Sequence, residues 1–352
     1  MKKLKVLDLF SGCGGLSLGF KMAGFEVKGA IDNDKDSIET FKKNFGKGKF
    51  LAKDINEIKK NEIENNFKDI DIIIGGPPCQ GFSNANRWHK NYNDPRNLLF
   101  KKFIEFVKII KPKLLLIENV SGILSRSDGN IIKNIKSILN KNEYNVNYKL
   151  LDASEFGVPQ LRKRVFIVGN RLNNKDFTKY LRNKKKVTVG EAISELYPLE
   201  NSCKKKLNGT LGNDYIKYLR RKNSNLLNHQ IIYPAKSTIE KIKYVKQGQN
   251  WQSIPLSLFK KNRNNRHSSA FKRLKENDFS VTIDTGNAHS NYFHPIFNRI
   301  PTPREAARIQ SFKDNFEFIG SRTSQYRQIG NAVPPLLAKE IANTFKKIIF
   351  NK

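Results

Sequence analysis

A strand-like run of apolar residues recurs seven times before residue 171: "KVLDLF" (5–10), "EVKGAID" (26–32), "KFLAKDI" (49–55), "DIIIGG" (71–76), "KLLLIEN" (113–119), "NVNYKLLDA" (145–153) and "RVFIVGN" (164–170). Amphipathic stretches such as "DSIETFKKNF" and "NLLFKKFIEFVKII" lie between several of these runs, with apolar residues at helical spacing. Strand, helix, strand in repeated succession predicts an α/β fold built on a doubly wound, mostly parallel sheet.

The rhythm stops near residue 171. Residues 171–298 are rich in Lys and Asn and hold 25 basic against 9 acidic side chains. Composition and periodicity change together, which predicts a boundary there. One domain is expected over 1–171, with a smaller basic domain and hinge over 172–321. The whole chain has 65 Lys and Arg against 32 Asp and Glu, a formal charge of +33. Such an excess suits a polyanionic partner, nucleic acid before others, although a solvated Lys/Asn-rich surface would read the same way. Three cysteines without a CxxC pair argue against a disulfide framework and for a reducing compartment. Asp8 interrupts the first apolar run, and no stretch has membrane-spanning length, so the expectation is a cytoplasmic monomer.

Three sheet ends carry the features of a nucleoside pocket. "DLFSGCGG" (8–15) joins the first strand to a helix, and its glycines allow a sharp turn and close ligand approach, though a tight turn without a ligand would look alike. The second strand ends in Asp32, about twenty residues on, where an acid can hold ribose hydroxyls. The third ends in Asp54 and Ile55, where a carboxylate suits an adenine amino group or a helix N-cap equally well. No GxxxxGK occurs, so an adenosine ligand without triphosphate machinery points to S-adenosylmethionine.

The fourth and fifth strands carry candidates for chemistry. Cys79 follows Pro77 and Pro78, whose fixed φ aims the next side chain; a lone thiol can equally be a small buried hydrophobe. Glu118 closes "LLLIEN" at the same sheet edge. Beside an apolar wall its carboxyl would tend to hold its proton; a surface acid or cap is the alternative.

In order, "DLFSGCGG", "GGPPCQGFS", "ENV", "GVPQLRKRVFIVG", "TPREAARIQSF" and "YRQIGNAVPP" resemble the motif set of the DNA cytosine-5 methyltransferases, and they span nearly all of the chain except its basic middle. The resemblance implies a Rossmann-like methyltransferase fold with a target-recognition domain in the basic middle, double-stranded DNA as partner and S-adenosylmethionine as cofactor. It alone implies that 322–352 completes the first domain. Five histidines without a cysteine pair or HxxxH spacing argue against a metal. The resemblance also implies that Cys79 adds to carbon 6 of a flipped-out cytosine while Glu118 holds ring nitrogen 3 and the exocyclic amine, with Gln160, Arg162 and Arg164 around the base carbonyl. It carries over a cofactor pocket of Phe10, the turn Gly12, Cys13, Gly14 and Gly15, Asp32 with Asn33, Asp54 with Ile55, Pro78, Leu99, Asn331 and Ala332. Asn33 and Lys313 depart from the family, which more often has an apolar residue and Pro at those places. The expected activity is methyl transfer within a restriction-modification system. A tRNA cytosine-5 methyltransferase and an inactive DNA-binding relative are the rival expectations. Cys13 otherwise reads as a packing residue and Cys203 as a surface one.

Overall fold

The computed structural model describes residues 3–78, 95–125, 130–200, 206–207, 211–222, 224–259, 270–283, 285 and 292–350. By residue contact the chain forms two units. The first comprises 1–152, 163–183 and 335–352, and the second 153–162 and 184–334.

The first unit opens β1 (Lys5–Leu9), α1 (Gly15–Met22), β2 (Glu26–Asp32), α2 (Lys35–Phe45), β3 (Lys49–Ala52), α3 (Lys60–Phe67), β4 (Ile72–Gly75), α4 (Pro95–Ile110), β5 (Leu114–Val120), α5 (Asn130–Asn140), β6 (Asn145–Asp152) and β7 (Lys163–Asn170). All seven strands join one sheet in the order β3-β2-β1-β4-β5-β7-β6. The first five are mutually parallel, while β7 runs antiparallel to both its neighbours. The central strands are fully buried on both faces, which is why they read as unbroken apolar runs rather than as alternation. One face packs Leu7, Ile73, Leu115 and Ile167 against Phe67, Phe103, Phe106 and Leu139. On the other, Val27 and Ala30 meet Ile38 and Phe41 of α2. Asp34 starts α2 by accepting from Ser37 N at 2.8 Å, and Gly46, at φ +78°, ends it.

The final helix of the first unit, Pro335–Phe350, lies against α1. Phe20 meets Phe345 edge-on at 5.4 Å, and a Cβ at Gly19 would stand 2.3 Å from that of Ala338, so the two backbones touch where only glycine fits.

The second unit is built from short pieces: α6 (Val189–Ile193), β8 (Lys206–Leu207), α7 (Asp214–Leu219), β9 (Ser224–Asn225), α8 (Lys236–Ile242), β10 (Lys272–Arg273), β11 (Tyr292–Phe293), α9 (Pro303–Ile309) and α10 (Arg322–Asn331). The helix at the chain end is thus α11. Irregular backbone leaves carbonyls without ladder partners, and buried arginines, with five donors each, fill the need. Arg273 donates to the carbonyls of Ile242 at 3.0 Å and His294 at 3.1 Å, and Arg304 to those of Leu227 at 2.7 Å and Phe316 at 2.6 Å. Two further arginines are ion-paired. Arg299 reaches Glu305 at 2.7 Å and Glu200 at 2.6 Å, and Arg308 reaches Asp314 at 2.6 Å and Glu195 at 3.1 Å. Burial alone would raise the Glu305 carboxyl, but the Arg299 guanidinium overrides it and holds the group at about 2. Among the described residues, no helix is long and apolar enough to cross a membrane.

Candidate active site

Parallel β1, β2, β4 and β5 end side by side, and their carboxyl ends bring the predicted residues of the first unit together. Phe10 leaves β1 in the left-handed region at φ +59°, followed by Gly12 at +51° and Gly14 at +94°. A Cβ built on Gly12 meets nothing within 4 Å, so the turn leaves open space beside its backbone. Asp32 ties this turn to the end of β2: one carboxylate oxygen accepts from Gly12 N at 2.8 Å and the other from Asp34 N at 2.9 Å. Burial raises the Asp32 carboxyl above the ordinary range. Phe10, Leu51 and Leu99 are half-buried against the same apolar cluster. Ile55 is buried beside them, and Asp54 accepts from Asn56 N at 2.9 Å, so it caps the short turn 55–57 as one of its two readings anticipated. Asn33 is exposed, whereas Cys13 is 1% exposed and burial pushes its thiol far up. The open glycine turn, the fixed carboxylate and the apolar shelf suit an adenosine moiety.

Asp8, not singled out by the sequence reasoning, lies under this turn. It is 1% exposed and accepts from the Ser17 hydroxyl at 2.6 Å. Burial, with Asp32 adding to it, raises its carboxyl to about 7. Ionisation therefore opposes folding: the cost is absent below the ordinary value near 3.8, grows up to about pH 7 and is constant above. Asp8→Asn is expected to be more stable than wild type by about 1–3 kcal/mol at pH 8, a gap that closes towards pH 4; the new amide hydrogens keep it below the full linkage. Thermal melts across that range check it.

At the ends of β4 and β5, Glu118 is half-buried and its carboxylate pairs with Arg164 Nε at 3.1 Å. Strand register makes the pair possible, because Arg164 stands opposite Val120, two residues along from Glu118 on the same face. Glu118 also lies against the glycine that leads to the prolines: a Cβ on Gly76 would be 3.0 Å from Glu118 Oε2. Asn119, one residue on, is 6% exposed; its side-chain amide donates to the Pro77 carbonyl at 2.9 Å and accepts from Val120 N at 3.0 Å. Sequence reasoning passed over Asn119, and only its place inside "ENV" marked it. Pro78 is half-buried, and Cys79 and Cys203 lie outside the described residues.

Gln160, Arg162, Asn331 and Ala332 belong to the second unit. Gln160 is wholly buried. It donates to Gln310 at 2.6 Å and accepts from Ile283 N at 2.9 Å, while Gln310 donates to the carbonyls of Ile329 at 2.7 Å and Ala332 at 3.2 Å. Arg162, 2% exposed, donates to the carbonyls of Ile283 at 3.1 Å and Gly330 at 2.8 Å. These side chains thus brace the C-terminal end of α10, "IGNA", and the extended "VTI" against each other. Asn331 is exposed and Ala332 buried.

Residues 4–347 match the family of C-5 cytosine-specific DNA methylases. The chain belongs to that family. It is 34% identical to the type II methyltransferase M.DdeI of Desulfomicrobium norvegicum over 96% of this chain and 88% of that one. It is 36% identical to M.MthTI of Methanothermobacter thermautotrophicus over 98% and 97%. Among solved structures, one described as a DNA modification methyltransferase encoded within an E. coli prophage superposes with a TM-score of 0.76 at 29% identity, covering 99% of both chains. The methylase family transfers a methyl group from S-adenosylmethionine to carbon 5 of cytosine in DNA, and the seven-stranded sheet described above is the methyltransferase α/β fold.

Proposed function

We propose that this methylase modifies a cytosine swung out of a specific double-stranded sequence, as the modification arm of a type II restriction-modification system in a bacterial cytoplasm. The type II methyltransferases that align with nearly its full length support that reading. Carbon 5 is too weak a nucleophile to take a methyl group directly, so the ring must first be activated. The Cys79 thiolate adds to carbon 6, and the ring electrons move towards nitrogen 3; the Glu118 carboxylate, paired with Arg164, must first take up the proton that it delivers there. S-adenosylmethionine supplies the methyl group as an electrophilic sulfonium substituent. Carbon 5 takes it as the methyl–sulfonium bond breaks. A base, which water can be, then removes the carbon 5 proton, the carbon 5–carbon 6 double bond re-forms and expels the sulfur as thiolate, and nitrogen 3 returns its proton to Glu118.

Arg164 holds Glu118 in place, and its guanidinium is the group that we assign to the base carbonyl. Gln160 and Arg162 act one step back, by fixing the segments they brace. Phe10, Gly12, Asp32, Ile55 and Leu99 form the cofactor wall of the first unit, with Asp54 at its rim. Cys13 packs beneath it; the second unit, which holds Asn331 and Ala332, serves as the target-recognition domain.

The observation that carries the reading is the Glu118–Arg164 pair seated against Gly76, three residues ahead of Cys79. Incubation with duplex DNA and S-adenosylmethionine, followed by base-resolution mapping of methylcytosine, tests it. Methylation at one recurrent sequence is expected; transfer to tRNA but not duplex would overturn it. Glu118→Gln keeps the shape but cannot deliver the proton. A loss of about 10²–10³-fold in single-turnover methylation is expected, with DNA affinity nearly unchanged.

A further inference from the structure

We infer that Asn119 is a positioning residue for the nucleophile: its side-chain amide holds the Pro77 carbonyl and so sets where the chain delivers Cys79. The inference rests on the reading of Cys79 as the attacking thiolate.

The parallel pairing of β4 and β5 runs in register from Ile72 with Leu114 to Gly75 with Ile117. Beyond Gly75 the chain enters Gly76-Pro77-Pro78, and two prolines in succession have no N–H to donate. Over the two prolines only the carbonyls remain for anchoring. Asn119 supplies the anchor from the neighbouring strand, donating to the Pro77 carbonyl at 2.9 Å from a side chain that is 6% exposed. Its own carbonyl oxygen is fixed by Val120 N at 3.0 Å, which sets the orientation of the amide. A side chain thus carries the β4–β5 tie beyond the last backbone rung.

Glu118 and Asn119 are consecutive on a strand, so they face opposite sides of it. One residue faces Arg164 and Gly76; its neighbour holds Pro77. The strand end therefore places the acid and the approach to Cys79 with one short rigid piece of backbone.

The chemistry asks for one group that donates and accepts at the same time. Aspartate accepts from Val120 N, but when ionised it sets a negative oxygen against the Pro77 carbonyl. Protonated, its O–H donates as the amide does. This gives a test that a purely space-filling role would not pass.

Wild type, Asn119→Asp and Asn119→Ala are compared by three readouts: the rate of covalent adduct formation with DNA carrying 5-fluorocytosine at the methylated position, DNA affinity, and thermal melting. At pH 8, adduct formation is expected to fall about 10²-fold in both variants, the loss expected of a misplaced reacting group, with DNA affinity within about threefold of wild type. As pH falls from 8 to 5.5, the ratio of wild-type to Asn119→Asp rates is expected to shrink at least fivefold, while the ratio for Asn119→Ala stays flat. Should Asn119→Ala fail to fold, the Asp variant alone decides through its pH profile. Adduct rates within threefold of wild type, or DNA affinity falling in step with them, would overturn the inference. Absence of any adduct in wild type would instead overturn the Cys79 reading.

Discussion

Cys79→Ala is expected to abolish methyl transfer, by at least ~10⁴-fold, which is ~5–6 kcal/mol of barrier at 1.36 kcal/mol per tenfold. Without the sulfur, carbon 5 of cytosine has no route to enamine-like reactivity, and the Cys13 thiol, buried and pushed far up, cannot take its place. Binding of duplex DNA and of S-adenosylmethionine is expected to survive, since neither draws on the thiol. The measurement is single-turnover transfer with labelled cofactor, together with trapping on 5-fluorocytosine DNA. Wild type forms a stable protein–DNA adduct and the variant forms none. Turnover in the alanine variant at wild-type speed would remove covalent catalysis from the account.

The second large effect concerns stability. Arg299→Met leaves Glu305 and Glu200 without the guanidinium that both share, at 2.7 Å and 2.6 Å. Stranding buried carboxylates costs about 3–5 kcal/mol. That lowers the melting temperature by roughly 10 °C in a unit of this size. Arg299→Lys is expected to recover little, because one ammonium cannot serve two carboxylates and the Ile300 carbonyl together. The pH dependence has a definite sign. Glu305 is held at about 2 against an ordinary 4.5, so its contribution is full above pH 4.5 and is lost as pH falls towards 2. Wild type should therefore destabilise through that window, and the methionine variant much less.

The parallel sheet was legible in the sequence because strands buried on both faces cannot hide: β4 is apolar through Gly75 and β5 is apolar up to Glu118. The glycine turn, Asp32 and Glu118 stood out for the same reason, polar or flexible residues at the end of apolar runs. What stayed hidden has no periodic signature. Asp8 sits inside an apolar run and looks like a break in it, although it is buried against Ser17. Asn119 matters through one side-chain bond to a residue 42 positions away. Glu200 and Arg299 meet across 99 positions of a segment whose Lys/Asn-rich text reads only as positive. Gln160 and Arg162 were expected around a base. Their burial shows side chains spent on backbone groups more than a hundred positions downstream, a pairing that no local pattern encodes.

The packing of α11 on α1 has a consequence for biosynthesis. A ribosome delivers α1 early and α11 more than three hundred residues later. Until then Gly19 and Phe20 lack Ala338 and Phe345, the neighbours that lie against them in the folded unit. The sheet can assemble from β1 to β7 during elongation, but its outer layer stays incomplete until the last helix emerges. Such long-range closure slows folding and lengthens the time for which sticky surface invites chaperones or aggregation.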